Sequence, residues 1–192
     1  MKVLGINGSA RRDGNTAILI RAVFAELEKA GIETELIQLG GKPLRGCTAC
    51  YICSKRKDRH CAVTGDALNE IIDKMLEADG ILLGSPTYFT DVTAEMKALI
   101  DRVGMVAVSN GAMLKHKVAG AVVAVRRGGA THAFDTMNHF LHYGQMFLVG
   151  ASYWNMGFGR NIGEVEDDEE GMRNMRILGE NMALLLQKLH AS

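Results

Sequence analysis

The sequence predicts a doubly wound α/β fold, in which helices cover both faces of a five-stranded parallel sheet with the strand order 2-1-3-4-5. Short apolar runs alternate with helically spaced apolar residues from one end of the chain to the other. Several runs are almost entirely apolar, which is typical of strands that are covered on both faces. Because crossovers between parallel strands are right-handed, we expect the ligand-binding loops at the carboxyl ends of the strands.

Five runs are predicted to form the strands, at residues 2–6, 33–39, 80–83, 118–125 and 146–151. One helix is predicted after each strand, from apolar residues that recur every three or four positions. These residues are Ile20, Val23, Phe24 and Leu27; Leu68, Ile71, Ile72 and Met75; Met96, Leu99, Ile100 and Val103; Phe134, Met137 and Leu141; and Met175, Leu178, Met182, Leu185 and Leu189.

The composition indicates a single domain that spans residues 1–192. A chain of 192 residues, with 47% hydrophobic and 23% charged residues, has an ordinary size for one domain with its own core. Lys plus Arg and Asp plus Glu number 22 each, so no overall charge attracts nucleic acid or an anionic membrane. We therefore expect neither of them as a partner.

The N-terminus, MKVLGING, shows no basic leader, no long apolar stretch and no small-residue cleavage site. No run approaches the roughly 20 apolar residues needed to span a bilayer. We therefore expect a cytoplasmic protein. In that reducing compartment, clustered cysteines are more often metal ligands or redox groups than structural disulfides.

The loop after the first strand, GSARRDGNT, has the composition of an anion site. Ser9, Asn15 and Thr16 offer donors beside the free N–H groups of a helix N-terminus, and Arg11 offers a countercharge. The loop lacks the GKS/T ending of a nucleotide P-loop and the GxGxxG of dinucleotide folds, which disfavours ATP and Rossmann-bound NAD. A monophosphate fits this loop, and an ordinary strand-to-helix turn is the alternative.

The loop after the third strand opens the segment SPTYFTDVTAEMKALIDR, residues 85–102. Pro86 ends the strand, and Tyr88 and Phe89 place aromatic faces at the loop. Such a pair at the carboxyl end of a strand suits stacking with a flat heterocycle. The alternative is that the two rings only cover the top of the sheet.

The loop after the fourth strand, VRRGGA at residues 125–130, combines two glycines with Arg126 and Arg127. The glycines allow the backbone to approach a ligand closely, and the arginines add positive charge. A glycine turn with two solvated arginines is the alternative.

On these loops the chain resembles the NAD(P)H-dependent FMN reductase family of flavodoxin-like proteins, and more closely the iron-sulfur flavoproteins. The resemblance runs nearly from end to end. It covers MKVLGINGSARRDGNT at the start, LEADGILLGSPTYFTDVTAEMKALIDR in the middle, and an acidic stretch before a long final helix. It implies a flavodoxin-like fold, FMN as the cofactor and NAD(P)H as a co-substrate.

The resemblance also implies which residues contact FMN. The first loop would hold the phosphate, the second would pack along the ribityl chain and ring, and the third would border the ring. These residues are Ser9, Arg11, Asn15 and Thr16; Pro86, Thr87, Tyr88 and Phe89; and Arg126, Arg127, Gly128 and Gly129. No catalytic side chain is expected, because the hydride passes at flavin N5 and the cofactor carries the chemistry.

All the cysteines of the chain, Cys47, Cys50, Cys53 and Cys61, lie in the loop after the second strand, at about residues 40–65. Four thiolates in one short loop suit a soft metal centre, and their spacing resembles the motif that holds a [4Fe-4S] cluster in iron-sulfur flavoproteins. Free or redox-active thiols are one alternative. Zinc, which usually takes two separated CxxC hairpins, is another. We expect this loop on the rim of the flavin site.

The expected function is that of an FMN-dependent oxidoreductase that couples FMN to a [4Fe-4S] cluster if the cysteines hold one. The alternatives are a non-enzymatic flavodoxin-like electron carrier and a thiol-based redox sensor. The partners would be a nicotinamide donor, a ferredoxin-like carrier, or both. The family implies a homodimer or homotetramer, and we expect Tyr153, Trp154 and Phe158 at the subunit contact, with a cap over the flavin or closure of the core as the alternatives. The acidic residues at 164–170 are expected to stabilise the N-terminal end of the final helix.

Overall fold

The computed structural model describes residues 1–41 and 43–191. Its strands are β1 (Lys2–Asn7), β2 (Glu33–Gln38), β3 (Gly80–Pro86), β4 (Val118–Val125), β5 (Phe147–Leu148) and β6 (Met156–Phe158). Its helices are α1 (Asn15–Lys29), α2 (Ile52–Arg56), α3 (Leu68–Glu77), α4 (Ala94–Ser109), α5 (Ala130–Tyr143) and α6 (Glu169–Leu189), and a 3-10 turn at Glu164–Asp167 precedes α6. No helix in the two described ranges is both long and apolar enough to cross a lipid bilayer.

The strands pair in parallel in the order β2-β1-β3-β4-β5, which confirms the predicted order. β1 lies between its two neighbours, so that Leu4 stands opposite both Glu35 of β2 and Ile81 of β3. Every residue of β4 is buried, as its unbroken apolar sequence predicts.

Alternate residues of the strands enter two separate cores, one on each face of the sheet. In β3, Ile81 and Leu83 belong to the core that contains α3, α4 and α5. Leu82, between them, belongs to the core that contains α1 and α6. This alternation follows from the two-residue period of a strand. It explains why a strand with a helical layer on each face has to be apolar throughout.

The predicted fifth strand, 146–151, is too long. Only Phe147–Leu148 pair with β4, opposite Val118 and Ala119, and the chain leaves the sheet after Val149, whose N–H donates to the Ala119 carbonyl at 2.9 Å. The other end of β4 pairs with β6, which the sequence analysis does not predict. Two short strands therefore share one edge of β4, and β6 directs the following chain toward the carboxyl ends of the sheet.

Candidate flavin site and cysteine loop

A cavity of about 210 Å³ opens at the carboxyl ends of β1, β3 and β4. Eight of the residues expected to contact FMN line it: Ser9, Arg11, Asn15, Thr16, Pro86, Thr87, Tyr88 and Arg126. Ala124, Gly159 and Arg160 complete the lining. The cavity therefore combines the three expected loops with a fourth segment, the residues that follow β6.

A series of hydrogen bonds that begins at the last residue of β1 fixes the conformation of the first loop. Asn7 is buried, and its side chain accepts from the Ser9 N–H at 3.0 Å and donates to Gln38 of β2 at 2.7 Å. Ser9 Oγ in turn accepts from the Arg11 N–H at 3.1 Å. α1 begins directly after Gly14, which has no side chain to cap the helix. The free N–H groups of the first turn are therefore available to an anion in the cavity.

Asn15 lines the cavity, but both polar atoms of its side chain bind the segment after β6. Its Nδ2 donates to the Asn161 carbonyl at 2.9 Å, and its Oδ1 accepts from the Gly163 N–H at 2.9 Å. Gly159 makes this close packing possible, because a Cβ there would lie 2.8 Å from Asn15 Nδ2 and 2.7 Å from the Val165 nitrogen. Asn15 thus fastens one wall of the cavity and does not offer its amide to a ligand.

Arg160 lies in this fastened segment and is a lining residue that the sequence analysis missed. Its carbonyl accepts from Arg11 Nη1 at 3.2 Å. The carboxylate of Glu164 accepts from the backbone N–H groups of Arg160 and Asn161 at 2.7 and 2.8 Å. Those N–H groups, Asn161 first and Arg160 second, lower the pKa of Glu164. The acidic stretch therefore shapes the cavity wall, besides supplying Asp168, which caps α6 by accepting from the Gly171 N–H at 3.0 Å.

The second loop is a tight turn in which Tyr88 and Asp91 exchange backbone hydrogen bonds at 2.8 and 3.0 Å. Phe89 and Thr90 at its tip have positive φ values of 48° and 69°. Phe89 is fully exposed and does not line the cavity. This loop therefore places Tyr88 at the cavity and leaves Phe89 in solvent.

Only the first residue expected from the third loop, Arg126, lines the cavity. Arg127 and Gly128 are exposed and stand outside it. Gly129 has a φ of 83°, and a Cβ there would lie 2.9 Å from the Thr90 side chain. This glycine thus lets the second and third loops touch.

The cysteine loop does not bring its four thiols together. Cys47 and Cys50 are exposed, Cys53 is buried and Cys61 is half-buried, and all four are free. Among residues 1–41 and 43–191, no group of three or more His, Cys, Asp or Glu side chains is placed to hold a metal ion. The backbone N–H of Ile52 and the side chain of Thr48 lower the pKa of the exposed Cys50 thiol, which favours the thiolate that binds metals.

The buried thiol, Cys53, lies near the end of α4 that is opposite the cavity. α2, a short helix that the sequence analysis does not predict, contains Cys53, whose Sγ is 3.8 Å from Ser109 Oγ at the last residue of α4. The opposite end of α4 adjoins the cavity loops, because Thr93, its N-cap, donates to the Gly8 carbonyl at 2.7 Å. α4 has 16 residues, or about 24 Å at 1.5 Å per residue.

The chain also matches a known protein family. Residues 1–161 match the sequence model of the NADPH-dependent FMN reductases. The chain belongs to this family. An iron-sulfur flavoprotein of Methanocaldococcus jannaschii is 39% identical over 190 residues, which cover 95% of this chain and 96% of that protein. An iron-sulfur flavoprotein of Methanosarcina thermophila is 33% identical over 178 residues, covering 91% of this chain and 90% of that protein. These relatives confirm the resemblance found in the sequence.

Solved structures of low sequence identity share the fold of this FMN reductase family member. A WrbA-like flavodoxin from Agrobacterium tumefaciens superposes with a TM-score of 0.67 at 15% identity, over 97% of each chain. An NAD(P)H:quinone oxidoreductase from Methanothermobacter marburgensis gives a TM-score of 0.70 at 15% identity, over 95% of this chain and 96% of that chain. At such identities the likeness shows the fold alone, and that fold is flavodoxin-like.

The cavity of this family member suits FMN on two observations. Thr87 Oγ1 is buried and has no hydrogen-bond partner among the described residues, although Thr87 lines the cavity. A buried hydroxyl without a partner costs about 1 to 3 kcal/mol unless a ligand or water satisfies it. In addition, the guanidinium-bearing residues Arg11, Arg126 and Arg160 all line the cavity, which suits a phosphate.

The cysteine loop has the donor chemistry that an iron-sulfur cluster needs. Its thiols do not lie in positions from which they could share one cluster within the described residues. Four thiols within residues 47–61 are the donor set that such a cluster requires. Since no three of these side chains are placed to hold a metal ion within the described residues, the loop has to rearrange before the four thiols can share one centre.

Proposed function

We propose that this protein is an FMN-dependent oxidoreductase that accepts hydride from NADH or NADPH. The observation that carries the proposal is the cavity at the carboxyl ends of β1, β3 and β4, which joins an uncapped helix N-terminus, a tyrosine and three arginines. These are the groups that a phosphorylated, aromatic cofactor needs. Membership of the FMN reductase family supports the choice of FMN.

In this proposal the protein binds and orients the cofactor and provides no acid or base. The first turn of α1, Thr16, Arg11 and Arg160 hold the phosphate, because they line the end of the cavity formed by the first loop and the segment after β6. Pro86, Thr87 and Tyr88 pack along the chain and ring. Arg126, which lines the cavity, would supply positive charge to stabilise negative charge on the ring. Bound FMN supplies the hydride and single-electron chemistry.

Steady-state kinetics distinguish this enzyme from a simple carrier. The FMN-loaded protein is mixed with NADH or NADPH and an excess of an artificial electron acceptor, and nicotinamide oxidation is followed. We expect turnover that saturates with one or both nicotinamides and depends on added FMN. Absence of turnover with either nicotinamide, together with fast electron exchange with ferredoxin, would instead support a flavodoxin-like carrier.

A second candidate function is single-electron transfer through a [4Fe-4S] cluster held by Cys47, Cys50, Cys53 and Cys61. The shared loop of four thiols favours it, and so do the relatives named iron-sulfur flavoproteins. The test is the iron, acid-labile sulfide and flavin content of protein purified without oxygen. We expect about four irons per chain and their loss in Cys50→Ser. Protein that contains flavin and no iron would contradict this candidate.

We also propose that the protein is a cytoplasmic homodimer or homotetramer. Three aromatic residues near the edge of β4 that pairs with β5 and β6 are exposed: Tyr153 by 61%, Trp154 by 54% and Phe158 by 47%. Exposed aromatic residues of this kind are enriched at protein interfaces. Light scattering on the eluted peak of a sizing column measures the mass, and a Trp154→Ser variant should dissociate. A monomeric wild-type protein would contradict the proposal.

A further inference from the structure

One buried arginine ties the two ends of the cysteine loop to α4. The side chain of Arg102 has an exposed fraction of 0%, and that of its ion-pair partner Asp66 has 6%. Arginine is almost never fully buried unless it is paired, and its planar fork offers five N–H donors. The groups that accept hydrogen bonds from these donors therefore explain why Arg102 is buried.

The donors of Arg102 reach residues on both sides of the cysteines. Its Nη1 donates to the Arg45 carbonyl at 3.1 Å, just before Cys47. Its Nη2 donates to the Val63 carbonyl at 3.0 Å and to Asp66 Oδ1 at 3.3 Å, just after Cys61. One guanidinium group thus closes the loop that contains all four thiols.

The same guanidinium contacts one of the thiols. Arg102 Nη2 lies 3.4 Å from Cys61 Sγ, as a donor to sulfur. Asn69 fixes the backbone of this cysteine, because its Oδ1 accepts from the Cys61 N–H at 2.8 Å and its Nδ2 donates to the Cys61 carbonyl at 3.0 Å. Cys61 is therefore anchored through its main chain and its sulfur, whereas Cys47 and Cys50 are exposed.

We propose that Arg102 is a positioning residue that presents the sulfur of Cys61 to a soft metal centre formed by the cysteine loop. The guanidinium fixes the direction of the sulfur and withdraws charge from it through the N–H···S hydrogen bond, as partners of metal ligands do. Cys61 would be the ligand that is already held in place, and Cys47, Cys50 and Cys53 would supply the other thiols. This inference rests on the second candidate function, the metal-binding role of the loop.

Titration of the FMN-loaded protein with Co²⁺ in the absence of oxygen tests the proposal, because thiolate ligation gives a charge-transfer band. We expect the wild type to show the band. Arg102→Lys keeps the charge and loses the fork, so it should weaken Co²⁺ binding by about 10- to 100-fold and move the band to longer wavelength. Lys97→Gln, an exposed change on the same helix, is the matched control and should leave both unchanged.

A double-mutant cycle separates this role from a general effect on the fold. If Arg102 acts through the sulfur, Arg102→Lys should weaken Co²⁺ binding much less in a Cys61→Ser background than in the wild type. An equal loss in both backgrounds would overturn the proposal. So would a wild type that retains FMN and shows no charge-transfer band, a result that leaves the flavin function intact. Failure to bind FMN would contradict the proposed function separately.

Discussion

The most specific prediction about the cavity concerns Asn15, whose side chain forms hydrogen bonds with the segment that contains Arg160. Asn15→Ala removes two hydrogen bonds of 2.9 Å, one to the Asn161 carbonyl and one from the Gly163 N–H. The truncated side chain leaves the first turn of α1 otherwise unchanged. We expect the segment to detach and Arg160 to lose its position at the cavity.

The magnitude follows from the two bonds. Each contributes about 0.5 to 1.5 kcal/mol net, so the docked segment loses about 1 to 3 kcal/mol. Since 1.4 kcal/mol corresponds to a factor of ten, FMN binding should weaken by roughly 5- to 150-fold. Riboflavin has no phosphate for Arg160 to contact, and its affinity should change by less than about twofold.

The assay is fluorescence quenching as FMN or riboflavin is added to the protein stripped of flavin. Asn181→Ala is the matched control, because its Nδ2 makes one bond of 2.9 Å to the Gly150 carbonyl, away from the cavity. This control should bind FMN as the wild type does. In Arg160→Ala protein, the additional Asn15→Ala change should cost little more, since both changes remove the same contact.

Two results would refute the reasoning. Unchanged FMN affinity in Asn15→Ala would mean that the docked segment does not contribute to binding. An equal loss of FMN and riboflavin affinity would mean that Asn15 supports the whole cavity and has no specific effect at the phosphate.

Three further variants test separate parts of the site. Thr87→Val removes the buried hydroxyl that has no partner among the described residues, so FMN affinity should fall by about 1 to 3 kcal/mol while the flavin-free protein unfolds no more easily in urea; a lower urea midpoint would count against an unsatisfied hydroxyl. Asp168→Ala removes the N-cap of α6 and its 2.8 Å bond from the Phe158 N–H, which should lower the free energy of unfolding by about 1 to 2 kcal/mol; a loss below 0.5 kcal/mol would argue against the cap. Glu164 has a pKa below its ordinary 4.5, so its carboxylate stabilises the folded segment fully above pH 4.5 and loses this effect as the pH falls through the lower, folded value. Thermal melts should therefore show a smaller destabilisation below pH 4.5 in Glu164→Gln than in the wild type, and parallel pH profiles would contradict this.

The sequence predicted those parts of the fold that depend on local pattern. β4 was placed correctly at 118–125 because all eight of its residues are buried, so its apolar run is unbroken. β6 escaped prediction because its three residues, Met156–Phe158, are too few to show a period. The fifth strand was overextended because the exposed pair Phe147–Leu148 lies in a longer apolar run.

In the candidate site too, the features that depend on local sequence pattern were predicted, and those that depend on contacts between distant residues were not. The three loops were predicted because each follows a strand whose carboxyl end faces the crevice. Arg160 was missed because its place depends on Asn15, which contacts residues 146 and 148 positions away in sequence. The spacing of the cysteines identified a donor set, but it contained no information on the contacts of Cys53 with Ser109 and of Cys61 with Arg102. Such contacts depend on how the loop packs along α4.

The central claim, that the cavity binds FMN and passes hydride from a nicotinamide to it, is tested most directly by a single-turnover experiment without oxygen. Protein loaded with one equivalent of FMN is mixed with NADH or NADPH, and the visible flavin absorbance is followed. We expect it to bleach at a rate that saturates with nicotinamide concentration, and more slowly when Arg126→Ala removes a positive charge from the cavity lining. Bound FMN that stays oxidised with both nicotinamides and is reduced by ferredoxin would contradict the account.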